Sequence, residues 1–235
     1  MGWDKDYVRN KYGFHSLGQY GIFYPSENAS RLLILFSSMG KDRYDRYSWF
    51  WNECERWDDT AYLFLKDDTF CYFLGSDERP LEQTFRKIIL NHMESCGVNN
   101  KQVFTVGASM GGYAALYYAS LMDFNGAIVS NPQIDYASAR CHEFQNWERQ
   151  IRTMGAQWYD LNDFLCKRKA PKVYIEYGNY LADKCAAEKL ISTLDKKNSL
   201  YIVRKTDWSG HTVDSLKKET ITSAITFFEQ NDFYF

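Results

Sequence analysis

A chain of 235 residues with 45% hydrophobic residues is long enough to bury a sizeable core. Its 28 Lys and Arg stand against 30 Asp and Glu, a net charge of −2 that gives no electrostatic basis for binding nucleic acid. Six scattered cysteines without a C-x-x-C pair argue against zinc, no run approaches the roughly 20 apolar residues of a membrane helix, and no basic-then-apolar leader opens the chain, so we expect a soluble, cytoplasmic protein with reduced thiols and no metal.

No Pro/Gly/Ser-rich linker interrupts the chain, which predicts one domain over residues 1–235. Residues 11–24, punctuated by Gly13, Gly18 and Gly21, read as a short hairpin. Residues 32–36 form a continuous apolar run, the pattern of a strand buried on both faces. A helix is expected over 48–57, where Trp49, Phe50, Trp51 and Trp57 crowd together as core or pocket lining, and a strand over 61–65. Pro80 opens a helix that Gly97 stops. A strand at 103–106, an Ala-rich helix at 111–120 and a strand at 126–129 follow. Residues 135–170 are polar, Trp-bearing and partly helical, and read as an insertion. Lys167, Arg168 and Lys169 within it read as a solvated turn. A strand at 172–177, a helix at 183–194, a strand at 200–203 and a helix at 213–229 complete the chain. Strands alternating with helices imply crossover units, hence an α/β fold with a mostly parallel sheet and a small helical cap around 135–170.

The strongest motif is Gly107-Ala108-Ser109-Met110-Gly111, which reads G-x-S-x-G between an apolar strand and an Ala-rich helix. A serine on so sharp a strand-to-helix turn needs small neighbours, and the helix turns its positive end towards an oxyanion. Ser109 is the expected nucleophile, and the Met110 amide one oxyanion donor. The second donor is expected from the loop after 32–36, at Ser38 or Met39. A phosphate-cradling loop is disfavoured because no Lys-Ser/Thr follows the glycines.

A serine hydroxyl needs a base within hydrogen-bond reach. Of His15, His92, His142 and His211, only the last follows the final strand, in the loop where a serine–acid–histidine order requires it. His92 reads as an ordinary surface residue. For the acid that holds the imidazole tautomer, Asp183 is the choice, with helix N-cap as its competing role. Asp135 is the runner-up; Glu176 lies inside a strand and Asp207 close to His211.

With Gly107-x-Ser109-x-Gly111 and the Gly210-His211 loop in this order, the chain resembles the α/β-hydrolase superfamily over nearly its whole length. Phe36-Ser37-Ser38, Asn131-Pro132-Gln133 and Asn162-Asp163-Phe164-Leu165 add a similarity to its small cytoplasmic group of bacterial capsule and surface-polysaccharide biosynthesis proteins, which includes the meningococcal capsule O-acetyltransferase. The resemblance implies acyl-ester chemistry through an acyl-serine, as an O-acetyltransferase or esterase on a surface glycan, with acetyl-CoA a candidate donor rather than a bound cofactor. The superfamily often places its acid two or three residues past the glycine that ends its strand. Here Tyr180 and Leu181 stand there, and Asp183 is five past Gly178. A general small-ester or peptide hydrolase, and a non-catalytic binding or assembly protein on a hydrolase scaffold, are the alternatives.

Overall fold

The computed structural model describes residues 4–40, 44, 56–212 and 216–231. Helix α1 (Lys5–Tyr12) opens the described chain, with the Asp4 side chain capping the amides of Asp6 and Tyr7. Only Val8 and Tyr12 of α1 are buried, one turn apart, too few apolar residues for a helical period to stand out in sequence. The hairpin follows as β1 (Gly13–Ser16) and β2 (Gln19–Tyr24). The next strands are β3 (Arg31–Phe36) and β4 (Thr60–Leu65). The expected helix over 48–57 lies mostly outside the described residues, as do Trp49, Phe50 and Trp51; Arg56 and Trp57 are not helical.

Helix α2 (Glu82–Cys96) ends on Gly97, whose φ of 67° is a left-handed conformation glycine adopts without cost. Then come β5 (Val103–Ala108), α3 (Met110–Leu121) and β6 (Gly126–Ser130). Three short helices occupy the polar insertion: α4 (Tyr136–Ala139), α5 (Asn146–Met154) and α6 (Leu161–Cys166). The chain continues through β7 (Lys172–Tyr177), α7 (Leu181–Lys196), β8 (Tyr201–Lys205) and α8 (Lys218–Gln230). The last helix starts later than expected: Leu216 and Lys217 precede it, and 213–215 lie outside the described residues.

The eight strands form one sheet in the order β1-β2-β4-β3-β5-β6-β7-β8. The β1–β2 and β2–β4 pairs are antiparallel, and every pair from β4 onward is parallel. Side chains alternate across the sheet. Ile34 and Phe36 share one core with Phe85 and Ile88 of α2 and Leu116 of α3. Leu33 and Leu35 share the other with Ile225 and Phe228 of α8. Helices on both faces explain why β3 to β6 read as unbroken apolar runs. Helix α3 is buried from Met110 to Ser120, so its alanines let it lie close to the sheet. The parallel strands all end at one edge, and the loops there build the site.

Candidate active site

Strand β5 ends at Ala108 and α3 starts at Met110, so the chain reverses on Ser109 alone. Its backbone sits at φ 54° and ψ −121°, a costly conformation for a residue with a β-carbon. The surroundings hold it there. Its amide donates to the Ser130 carbonyl at 3.0 Å, and its carbonyl accepts from the amides of Tyr113 (3.1 Å) and Gln133 (3.3 Å). The flanking glycines are required by close approach. A β-carbon on Gly107 would overlap the Gly111 backbone, and one on Gly111 would overlap the Phe36 carbonyl and stand 2.8 Å from the Ser37 carbonyl oxygen. The loop after β3 is therefore pressed against the start of α3. Ser38 tightens this contact, its hydroxyl donating to the Ala108 carbonyl at 3.2 Å. Ser38 and Met39 thus lie beside the first turn of α3, where the Met110 amide is among those with no partner inside the helix.

His211 lies in the loop after β8, at the same edge of the sheet. Asn131, directly after β6, anchors that loop: its side-chain amide donates to the Thr212 carbonyl at 2.6 Å and its Oδ1 accepts from the Gly178 amide at 3.2 Å. The Nδ1 of His211 lies 2.8 and 3.0 Å from the two carboxylate oxygens of Asp183. Asp183 is 1% exposed, and burial raises its carboxyl above the usual carboxylate range, partly offset by the hydrogen bond and charge of His211. Asp183 is not an N-cap; α7 starts at Leu181, so the aspartate lies within its first turn. The Nε2 of His211 is buried and makes no hydrogen bond among the described residues. The expected Ser109–His211 hydrogen bond is therefore not closed, and such bonds commonly tighten only when substrate is bound.

The other candidate acids are committed elsewhere. Asp135 caps α4 through the Ser138 amide at 2.6 Å and meets Lys189 at 3.1 Å. Glu176 is buried and paired with Arg204 at 3.0 Å. Asp207 is exposed. His92 is not an ordinary surface residue: its ring lies 4.6 Å from both Phe14 and Phe23, and burial lowers its pKa.

Sequence reading missed the packing around His211. Trp147 of α5 meets the imidazole edge-on, with ring centroids 4.6 Å apart. His142 stacks flat on Trp147 at 3.7 Å, and its Nδ1 lies 2.7 Å from the Tyr180 hydroxyl. Burial, and then the proximity of His211, hold the His142 pKa below the ordinary value. The tryptophan in a polar insertion was the one signal of this contact in the sequence. Among the described residues, no three His, Cys, Asp or Glu are grouped to hold a metal ion, and no helix is long and apolar enough to cross a membrane.

The family described as accessory Sec system GspB-transporter matches residues 66–145. An accessory Sec system protein of Streptococcus gordonii is 33% identical over 114 residues, 47% of this chain. That match spans 21% of the relative's length, about a fifth. Among solved structures, the capsule O-acetyltransferase of Neisseria meningitidis serogroup A is similar at TM-score 0.63 and 16% identity, covering 95% of this chain and 98% of that one. The fluorophosphonate-binding serine hydrolase FphF of Staphylococcus aureus is similar at TM-score 0.66 and 17% identity, covering 92% and 96%. A glycosylation-associated protein complex, Gap123, from Streptococcus agalactiae is similar at TM-score 0.64 and 17% identity, covering 94% of this chain and 46% of that one. The mostly parallel sheet, the helices on both its faces and these likenesses identify the chain as having an α/β-hydrolase fold.

Proposed function

We propose that the chain is a serine-dependent acyl-ester enzyme that works through an acyl-Ser109 intermediate, with His211 as general base and Asp183 as the acid that orients it. The observation that carries this is the strained Ser109 turn at the same sheet edge as a buried Asp183–His211 pair. Asp183 takes the Nδ1 proton as a hydrogen bond, which leaves Nε2 as the acceptor for the serine proton. The Ser109 hydroxyl oxygen attacks the acyl carbonyl as its proton passes to Nε2. The negative charge on the carbonyl oxygen is met by the Met110 amide and the Ser38–Met39 loop. Collapse expels the donor's thiol or alcohol, which receives the proton. An acceptor hydroxyl or water then takes the acyl group by the same steps in reverse.

The physiological reaction we infer is acyl transfer to, or removal from, a carbohydrate hydroxyl in the cytoplasm, with transfer favoured. The likeness to a capsule O-acetyltransferase supports it, as does the match to accessory Sec proteins alongside a glycosylation-associated complex. The Neisseria enzyme has also been solved in complex with CoA, which makes acetyl-CoA the donor to test. A second reading, an assembly protein on a hydrolase scaffold, is favoured by the likeness to about half of one chain, 46%, of the Gap123 complex. The deciding experiment is intact-mass spectrometry after incubation with acetyl-CoA or an activated acetyl ester. An added acetyl group on the parent, absent from Ser109→Ala, supports the enzyme. No adduct and no ester turnover by the folded parent overturns it in favour of assembly.

A further inference from the structure

Away from Ser109, a groove of about 860 Å³ opens on the flank of α3, between the start of α2 and the insertion. Its wall is a run of aromatic rings. Tyr117 of α3 lies nearly parallel to Phe164 of α6 at 4.5 Å and to Tyr159 at 6.0 Å. Trp158 stacks on Tyr113 at 4.7 Å. Tyr159 is 44% exposed and Trp158 and Phe164 are half-buried, the Arg168 guanidinium lying 4.8 Å over the Phe164 ring, while Tyr117 and Tyr113 are buried behind them. The segment that carries Trp158 and Tyr159 is pinned at its backbone and at the indole. The Tyr113 hydroxyl donates to the Tyr159 carbonyl at 2.8 Å, and Asp160 accepts from the Trp158 indole at 2.8 Å and the Tyr136 amide at 2.9 Å. Such a wall loses little entropy when a ligand binds.

We propose that this groove is a docking site for a neutral oligosaccharide chain, the carbohydrate whose hydroxyl exchanges its acyl group at Ser109. A pyranose ring has apolar C–H faces and a rim of hydroxyls. The aromatic wall matches the faces. The exposed Asp163 carboxylate and Glu82, whose Oε2 already accepts from the Tyr117 hydroxyl at 2.8 Å, offer acceptors to the rim. Arg86, Lys167 and Arg168 also line the groove, so the charges largely cancel, which favours a neutral chain over an anionic one. The wall offers a peptide neither a free strand edge nor an apolar trough shaped for a helix; a proline-rich peptide, which also docks on aromatic-lined grooves, is the competing occupant, and the carboxylate acceptors beside the rings favour sugar hydroxyls over it. The volume falls in the range of about 300–1,000 Å³ usual for ligand sites. Tyr117 lies eight residues after Ser109, on the helix that begins directly after it, roughly 12 Å along the axis at ~1.5 Å per residue. No residue of the Ser109 site lines the groove, so a chain held here would have to run on along α3 for a more distant unit to reach the nucleophile.

The assignment of the occupant as the acyl acceptor rests on the acyl-enzyme reading; the binding itself does not. The test separates the two. Calorimetric titration of Ser109→Ala protein with cellotetraose and with tetra-N-acetylchitotetraose measures binding without turnover. Saturable binding of at least one chain is expected, weakened about ten-fold or more by Tyr159→Ala, with Phe164→Ala as a second variant. In the active parent background, Tyr159→Ala raises KM for the glycan acceptor while kcat and turnover of p-nitrophenyl acetate stay unchanged. No saturable binding of either chain at millimolar concentration overturns the proposal, as does binding that both variants leave intact. Absence of ester turnover by the folded parent, with binding retained, would overturn the acyl-enzyme reading instead.

Discussion

The Asp183 carboxylate holds the Nδ1 of His211 through both oxygens, at 2.8 and 3.0 Å, from a position almost closed to solvent. Two segments 28 residues apart meet there. The first turn of α7 supplies the carboxylate and the loop after β8 the imidazole. Burial lifts the aspartate's pKa, and the imidazole works against that lift. The pair therefore fixes the tautomer at the cost of burying a carboxylate.

Asp183→Asn separates these two effects. The amide keeps the shape but favours the wrong tautomer, so kcat is expected to fall by roughly 10⁴. Stability moves the other way with pH. A carboxyl whose folded pKa is raised stabilises the fold while protonated, and that contribution is lost as pH rises through its folded pKa. The variant lacks this loss. Its Tm relative to the parent should rise as pH increases from the ordinary carboxylate value near ~4 towards neutrality. Thermal melts across that range, with kcat measured alongside, check both; a Tm difference that shrinks with pH contradicts the buried-charge account.

Asp135→Ala should behave differently. Asp135 caps α4 and meets the half-exposed Lys189. Losing the cap is expected to cost about 1–2 kcal/mol, with little added by the ion pair. kcat at a temperature where both proteins are folded should change less than about ten-fold. Chemical denaturation gives the first quantity and ester kinetics the second. A collapse of kcat in folded Asp135→Ala would reopen the identity of the acid.

Ser109→Ala is expected to remove activity by several orders of magnitude while leaving the circular dichroism spectrum unchanged. Alanine also relieves no strain, because its β-carbon still disfavours φ 54°. Turnover that survives in the folded variant would rule out the acyl-serine.

Gly111→Ala tests the oxyanion side. Its β-carbon would drive the Phe36–Ser37 backbone away from the start of α3, displacing Ser38 and Met39 from the Met110 amide. The expected loss in kcat is about 10²–10³, the value of one oxyanion donor, with KM for a small ester little changed. A crystal structure of the variant with an unmoved loop and normal kcat would show that this loop does not serve the reaction.

Trp147→Phe tests whether the insertion positions the base. The smaller ring loosens the edge-on contact with His211 and the stack under His142. kcat for p-nitrophenyl acetate should drop by roughly ten-fold with KM nearly constant, as the base is held less well in place. An unchanged kcat in the folded variant would reduce Trp147 to core packing.

Much of this protein was legible in its sequence because the relevant signals are local. The parallel strands read as apolar runs bounded by turn residues, since burial on both faces demands it of each strand separately. Gly107, Ser109 and Gly111 announce the strained turn because the close approach they permit involves their own segment and its neighbours. His211 followed from chain order and its loop. Helix α1 escaped because its buried face is only Val8 and Tyr12. Only the tertiary structure brought Asp183 rather than Asp135 against His211, placed His142, Trp147 and Tyr180 around the imidazole, and set Asn131 as the anchor of the histidine loop. Both aspartates are buried near strand ends, so composition and spacing treat them alike. What separates them is which distant side chain each can reach. Lys189 pairs with one and His211 meets the other through Nδ1, and that choice follows from how α7 packs beside β7 and the final loop.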